Sequence, residues 1–177
     1  MVALSTSACV SVDSRALRAT PPANSNAIVQ GIFINSASYR SRGELVGAAT
    51  LAEALHIAGR EAEYVQVSVE SSNTLNVRLF KHGKPILEKK YTSGSAFELH
   101  PDGSALINLD AECRGKDSPG FGCGWGTVRL FLDQDDNLNV VQSGAGAGVI
   151  GIIPIALYAK HLSVFRRVSQ VWAPTVP

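Results

Sequence analysis

Residues 63–142 constrain the fold of this chain more than any other stretch. Val65, Val67 and Val69 alternate with Gln66, Ser68 and Glu70, the period-2 pattern of a strand with one dry face and one wet face. After Ser71-Ser72-Asn73, Leu75, Val77 and Leu79 repeat the alternation, and His82-Gly83-Lys84 turns the chain into residues 85–91. Further strand-like runs occupy residues 96–100, 104–110, 125–132 and 138–142. The breaks between them have a chemical cause. In Pro101-Asp102-Gly103 the proline presets φ and the glycine accepts φ > 0, and in residues 133–137 Asp and Asn side chains bond their own backbone. Consecutive strands joined by such turns make an antiparallel meander.

The expected fold is therefore mainly β, an antiparallel meander of about eight to ten strands closing into a barrel or a sandwich, with the barrel preferred. An apolar run at residues 27–35 adds a strand before the meander. Between them, residues 44–58 form the one good helix candidate, a short helix near the N-terminus. Thr50-Leu51-Ala52-Glu53 has capping-box spacing, Leu51, Leu55 and Ala58 share a face, and Gly59 supplies the stop. A chain of 177 residues suits one domain, placed at residues 27–172. Residues 1–26, rich in Ser, Ala, Thr and Pro, read as a flexible tail, and residues 173–177 as a second one. Residues 144–159 hold no charge. They are too few for a membrane-spanning helix of about 20 residues, and their glycines and Pro154 break a helix further. The expectation there is a Gly-rich crossing leading into a fully buried strand, with residues 162–168 as the last strand.

Charge excludes one class of partner. Sixteen basic and fifteen acidic residues leave a net charge of +1, unlike the basic excess of a nucleic-acid binder. The aromatic residues also fail to interleave with a basic patch, so no stacking platform for single strands is expected. No Asp or Glu follows Asp136. The apolar, mildly basic C-terminal region suits a buried terminal hairpin better than a membrane-surface role.

Three cysteines divide into a pair and a singleton. Cys113 and Cys123 stand at the inner ends of two strand candidates, around a loop rich in Gly, Ser and Pro. Antiparallel pairing would set them opposite one another, near enough for a disulfide, which implies an oxidising compartment. Cys9 follows small residues, Thr6-Ser7-Ala8, as at the processing site of a bacterial lipoprotein. From the tail alone it is either a lipidation cysteine or an incidental one.

Sequences that mimic chemical motifs do not complete them. Residues 146–151 match G-x-G-x-x-G, but Pro154 interrupts the helix that a dinucleotide site needs, and no acidic residue follows to hold the ribose. Residues 133–137 begin like a calcium loop, yet Leu138 and Gly144 stand where an EF-hand carries Gly and Glu. His56, His82, His100 and His161 form no metal-ligand spacing, and no Gly-x-Ser-x-Gly elbow occurs. The expectation is no catalytic residues, no cofactor and no metal.

The order of parts carries a resemblance. A Gly-x-Phe-x-Asn strand (31–35) is followed by a short Leu/Ala-rich helix (51–57) and the long meander (63–142). An apolar Gly/Pro run (148–158) and an aromatic-Arg-Arg-Val strand (165–168) come last. This order resembles small bacterial cell-envelope lipoproteins of unassigned function, across residues 27–168. The resemblance implies an envelope location on the periplasmic side, membrane anchoring through Cys9, and no activity to carry over. Two functions follow as expectations. One is a non-catalytic envelope lipoprotein with a structural or protein-interaction role. The other is a lipocalin-like carrier of a small apolar ligand in a β-barrel.

Overall fold

A computed structural model describes residues 7–22, 27–41, 47–71, 73–94, 96–114, 120–150 and 153–168. The N-terminal part comprises β1 (Ser7–Val12), α1 (Ser14–Arg18), β2 (Gly31–Ile34), β3 (Tyr39–Arg40) and α2 (Leu51–Ala54). The meander follows as β4 (Tyr64–Ser71), β5 (Thr74–Lys81), β6 (Lys84–Thr92), β7 (Phe97–Leu99), β8 (Ala105–Arg114), β9 (Gly120–Leu132), β10 (Leu138–Ile150) and β11 (Ile153–Phe165). The chain is mainly β, as its alternation requires.

The strands form two sheets. A seven-stranded sheet runs β1-β11-β10-β9-β8-β7, with β3 beside β11, and a four-stranded sheet runs β2-β4-β5-β6. Among the described strands all pairings are antiparallel except that of β1 with β11. One side is stitched by the chain that leaves β11: Phe33 bridges Arg167, and Ile34 N–H donates to the Arg166 carbonyl at 2.9 Å. The other side stays open, so the expected barrel does not close. The open side belongs to β6, whose Lys84, Glu88, Lys89 and Lys90 are exposed; charged side chains along an edge strand disfavour further pairing.

Inner faces of both sheets share one core. Phe33, Val65, Leu75 and Leu79 from the small sheet meet Ile107, Val128, Leu130 and Phe165 from the large one, all fully buried. The helix α2 plugs one end of this core with Leu51, Ala52, Ala54 and Leu55. Half of the expected capping box forms: Glu53 N–H donates to Thr50 Oγ1 at 3.1 Å, while the Glu53 carboxylate accepts at 3.1 Å from the N–H of Ala49, one residue before the cap, rather than from that of Thr50. Asn35, the last residue of the Gly-x-Phe-x-Asn strand, fastens this helix. Its amide oxygen accepts from Ala52 N–H at 3.0 Å and its amide nitrogen donates to the Ala62 carbonyl at 2.8 Å. The helix spans four residues rather than the longer stretch expected, and residues 42–46 lie outside the described ones.

Three further expectations are corrected. Residues 7–18 are not a tail: β1 extends the large sheet, and α1 lays Ala16 against Phe131, Val141 and Leu162 on its outer face. Backbone pairing of β1 with β11 and one buried alanine, Ala16, hold this segment, and neither requires an apolar run in the sequence. Two short helices are therefore present among the described residues, not one. Residues 144–159 are not a crossing before a buried strand either. β10 continues to Ile150 and β11 begins at Ile153, nine residues before the strand start expected at Leu162, and the segment is uncovered. The literal G-x-G-x-x-G run is thus strand through Ile150, with Gly151 outside the described residues, as are residues 1–6 and 173–177.

Candidate functional site

The covering layers reach only one end of the long strands. The small sheet covers the inner face at Val128, Leu130, Leu138 and Val140, and α1 with β3 covers the outer face at Phe131 and Val141. Beyond those rows, none of the residues 121–127, 143–149 and 153–161 is buried. The far halves of β9, β10 and β11 therefore project as an arm, with β1 along one side and the end of β8 along the other. Residues 120–128, 137–159 and 7–12 contain no Asp, Glu, Lys or Arg, so four adjacent strands of the arm are charge-free.

Register assigns each side chain to a face, because residues directly opposite one another in a sheet point the same way. Trp125 faces Ala145, Ala145 faces Tyr158, and Tyr158 faces Val10; Phe121 faces Val149. This outer face carries Phe121 at 62 % exposure and Trp125 at 54 %. The inner face is floored by glycine: Gly122, Gly124 and Gly126 oppose Gly148, Gly146 and Gly144. Its large side chains come from β11, where Ile153 and Leu157 are 53 % and 46 % exposed. At Gly148 the glycine is required by proximity. A Cβ on Gly148 would lie 2.5 Å from the Phe121 carbonyl oxygen and 2.8 Å from Gly122 Cα, so the strands approach closer there than any side chain permits.

Two of the three cysteines close one side of the arm. Cys113 of β8 stands in register with Cys123 of β9, and the two form a disulfide with S–S 2.03 Å and Cα–Cα 4.0 Å. A bulge between Leu109 and Glu112 shifts β8 so that the cysteines meet. Both strands run past the ends expected for them, and residues 115–119 lie outside the described ones.

Cys9 lies on the other side. It is a free, exposed thiol in β1, in parallel register with Leu157 of β11. Immediately after it a polar clasp fixes the strand. Asp13 N–H donates to the Lys160 carbonyl at 3.0 Å. The Asp13 carboxylate caps α1 by accepting from Arg15 N–H at 2.8 Å, and it accepts from Tyr39 Oη at 3.1 Å and from Ser41 Oγ. Arg15 lies over the Tyr39 ring, 4.8 Å from its centroid. The Ser41 hydroxyl, above all, holds the Asp13 carboxyl below its usual range. His161 neighbours this clasp. Burial pushes its pKa down, the Asp13 charge opposes that shift, and its Nε2 is buried without a partner.

Asp13, Ser41 and His161 are the residue types of a hydrolytic triad, drawn together from three segments that sequence spacing could not connect. Their arrangement is not that of a triad, in which histidine stands between serine and carboxylate. Here Ser41 Oγ donates directly to Asp13, accepts from Leu162 N–H at 2.8 Å and is 1 % exposed. A nucleophile so enclosed reaches no substrate. The group is a structural clasp.

The remaining motifs are also structural. Asp133 Oδ1 accepts from the N–H groups of Asp135 and Asn137, both at 2.9 Å, and Asp136 takes φ 60°, so residues 133–137 make a self-bonded hairpin turn. His82 and Gly83, at φ 51° and 73°, form the two-residue turn between β5 and β6. Among the described residues, no group of three or more His, Cys, Asp or Glu could hold a metal ion. A shallow cleft of about 220 Å³ lies between Ile34, Ser36, Ala37, Ser38 and Arg166. No described helix is long and apolar enough to cross a membrane, a statement that does not bear on strands. Comparison of the chain with protein-family models, with curated proteins and with solved structures gives no match in any of the three.

Proposed function

We propose that this chain is a non-catalytic lipoprotein of the bacterial cell envelope, tethered through Cys9, with the β-domain serving a structural or interaction role. The observation that carries this reading is the position of Cys9, exposed beside Leu157 at the margin of the arm's charge-free strands. An acyl chain on that thiol leaves the protein next to its most apolar surface. Removal of the residues before Cys9 would still leave residues 9–12 paired with residues 157–160. The Cys113–Cys123 disulfide adds support, since such bonds persist in oxidising compartments.

The carrier alternative draws no comparable support. A carrier needs room for its ligand, and the space between the two sheets is occupied by Phe33, Leu79, Ile107 and Leu130. Labelling cells with a palmitate analogue tests the lipoprotein reading. The protein is expected to take up label and to sediment with membranes, and Cys9→Ala is expected to abolish labelling. Unlabelled protein with a free Cys9 thiol would overturn the tether.

A further inference from the structure

We propose that the arm is itself a lipid-binding surface: its tip, built from β9, β10 and β11, seats in the headgroup–acyl boundary of a bilayer whether or not Cys9 is acylated. Clustered apolar side chains left in water mark a surface that is covered in use, and three features identify the cover as lipid.

The first is two-sidedness. Phe121, Trp125 and Tyr158 lie on one face, and Ile153 and Leu157 on the other. A protein partner or a second copy stacked on one face would leave the opposite face in water, whereas acyl chains surround both. The second is charge. Residues 120–128 and 137–159 carry no charged group, and the charged residues of the neighbouring β8, Asp110, Glu112 and Arg114, lie along one edge of the arm only; the first cation on β11 is Lys160, opposite Ser143 where the arm meets the domain. A lysine at that level can reach lipid phosphates while its stem stays apolar. The third is composition, since Trp125 and Tyr158 are of the residue types that concentrate at membrane–water interfaces.

Depth is set by the backbone. From Ser143 to Ile150 the arm extends about 23 Å along the strand, within the hydrocarbon thickness of about 30 Å. Full insertion is nevertheless disfavoured, because β1 ends the sheet and hydrocarbon cannot satisfy the backbone groups of an open edge. Seating at interfacial depth keeps those groups within reach of water and headgroups.

The test uses the full chain carrying Cys9→Ser and Trp172→Phe, so that Trp125 is the one indole and no acyl chain can contribute. It is mixed with vesicles of phosphatidylethanolamine and phosphatidylglycerol, with and without brominated acyl chains. Trp125 emission is expected to shift to the blue and to be quenched by the brominated lipid. Phe121→Glu and Leu157→Glu, on opposite faces, are each expected to lower the vesicle partition coefficient by about tenfold or more. Both positions are exposed, so the circular dichroism spectrum should not change; if either variant misfolds, Phe121→Ser and Leu157→Ser should lower partitioning in the same direction. Emission unchanged by vesicles would overturn the proposal, as would full partitioning by either variant. Concentration-dependent self-association that shields Trp125 without lipid would assign the arm to a second copy instead. None of these outcomes bears on palmitate labelling of Cys9, so failure of the arm and failure of the tether are separable.

Discussion

Cys113 and Cys123 occupy directly opposed positions on β8 and β9, and their disulfide ties the charged edge of the arm to its first charge-free strand. The sequence separation of 10 closes a short loop, for which the chain-entropy model gives about 2–3 kcal/mol of stabilisation. Replacing both cysteines by serine should lower the unfolding free energy by that amount in a denaturant titration. Thiol counting on unfolded, unreduced protein checks the pairing: one free thiol is expected with Cys9 unmodified, none with Cys9 acylated. Three free thiols in protein recovered from the envelope would remove both the bond and its support for an oxidising compartment.

Gly148 and Gly124 predict opposite results from the same substitution. A Cβ on Gly148 meets the Phe121 carbonyl oxygen at 2.5 Å, while one on Gly124 meets nothing nearer than the Ala145 carbonyl oxygen at 3.7 Å. Gly148→Ala must push β9 and β10 apart and should cost about 1–3 kcal/mol, the range for overpacking. Gly124→Ala should be close to neutral in the same melt, or slightly stabilising through the unfolded chain. Equal losses in both variants would mean that strand propensity, rather than close approach, governs these positions.

Strands with a wet face and a dry face were legible because burial writes a contrast into them: Val65 and Val67 are buried where Gln66 and Ser68 are half-buried. The same logic hid the arm. Gly144, Gly146 and Gly148 alternate with Ala145, Ala147 and Val149, a true period of two with almost no hydrophobic contrast, in residues that strands ordinarily avoid. Pairing with the glycines of β9 overrides that preference, and only the register reveals it. The cysteine pair was readable because both members flank one loop. The clasp was not, because Asp13 and Ser41 meet, with His161 nearby, only after β1 and β3 share the same side of β11.

Tyr91 should make the protein sensitive to alkali. Its hydroxyl donates to the Leu55 carbonyl at 3.0 Å, joining β6 to the end of α2, and burial pushes its pKa well above the usual 10.0. The folded state therefore favours the neutral phenol. This contribution is complete below the unfolded value and is lost as pH rises through the range between the unfolded and folded values, because the unfolded chain gives up its proton first. Tyr91→Phe should cost about 1 kcal/mol at neutral pH through the lost hydrogen bond and should flatten the alkaline decline. A variant whose alkaline decline matches that of the parent would assign that decline to another group.

Asp13 and His161 should make the attachment of β1 weaken in two stages on acidification. Burial holds His161 below its usual 6.5, against the opposing charge of Asp13. The unfolded chain then takes up a proton before the folded one does, so this contribution is complete above 6.5 and is lost as pH falls through the lower folded value. Asp13 acts at lower pH. The Ser41 hydroxyl, followed by Arg15 N–H and Tyr39 Oη, keeps its carboxyl below 3.8, so its contribution is present above that value and is lost as pH falls through the folded one. Hydrogen-exchange protection of residues 8–12, measured from neutral to acid pH, should decline in that order. His161→Gln should remove the first decline and leave the second. Asp13→Ala, which deletes the α1 cap together with the clasp, should lower protection even at neutral pH, by about 1 kcal/mol on the scale of a lost helix cap. If protection in the parent is flat from neutrality into mild acid, His161 does not control this strand. If Asp13→Ala leaves neutral protection unchanged, backbone pairing with β11 holds β1 without the clasp.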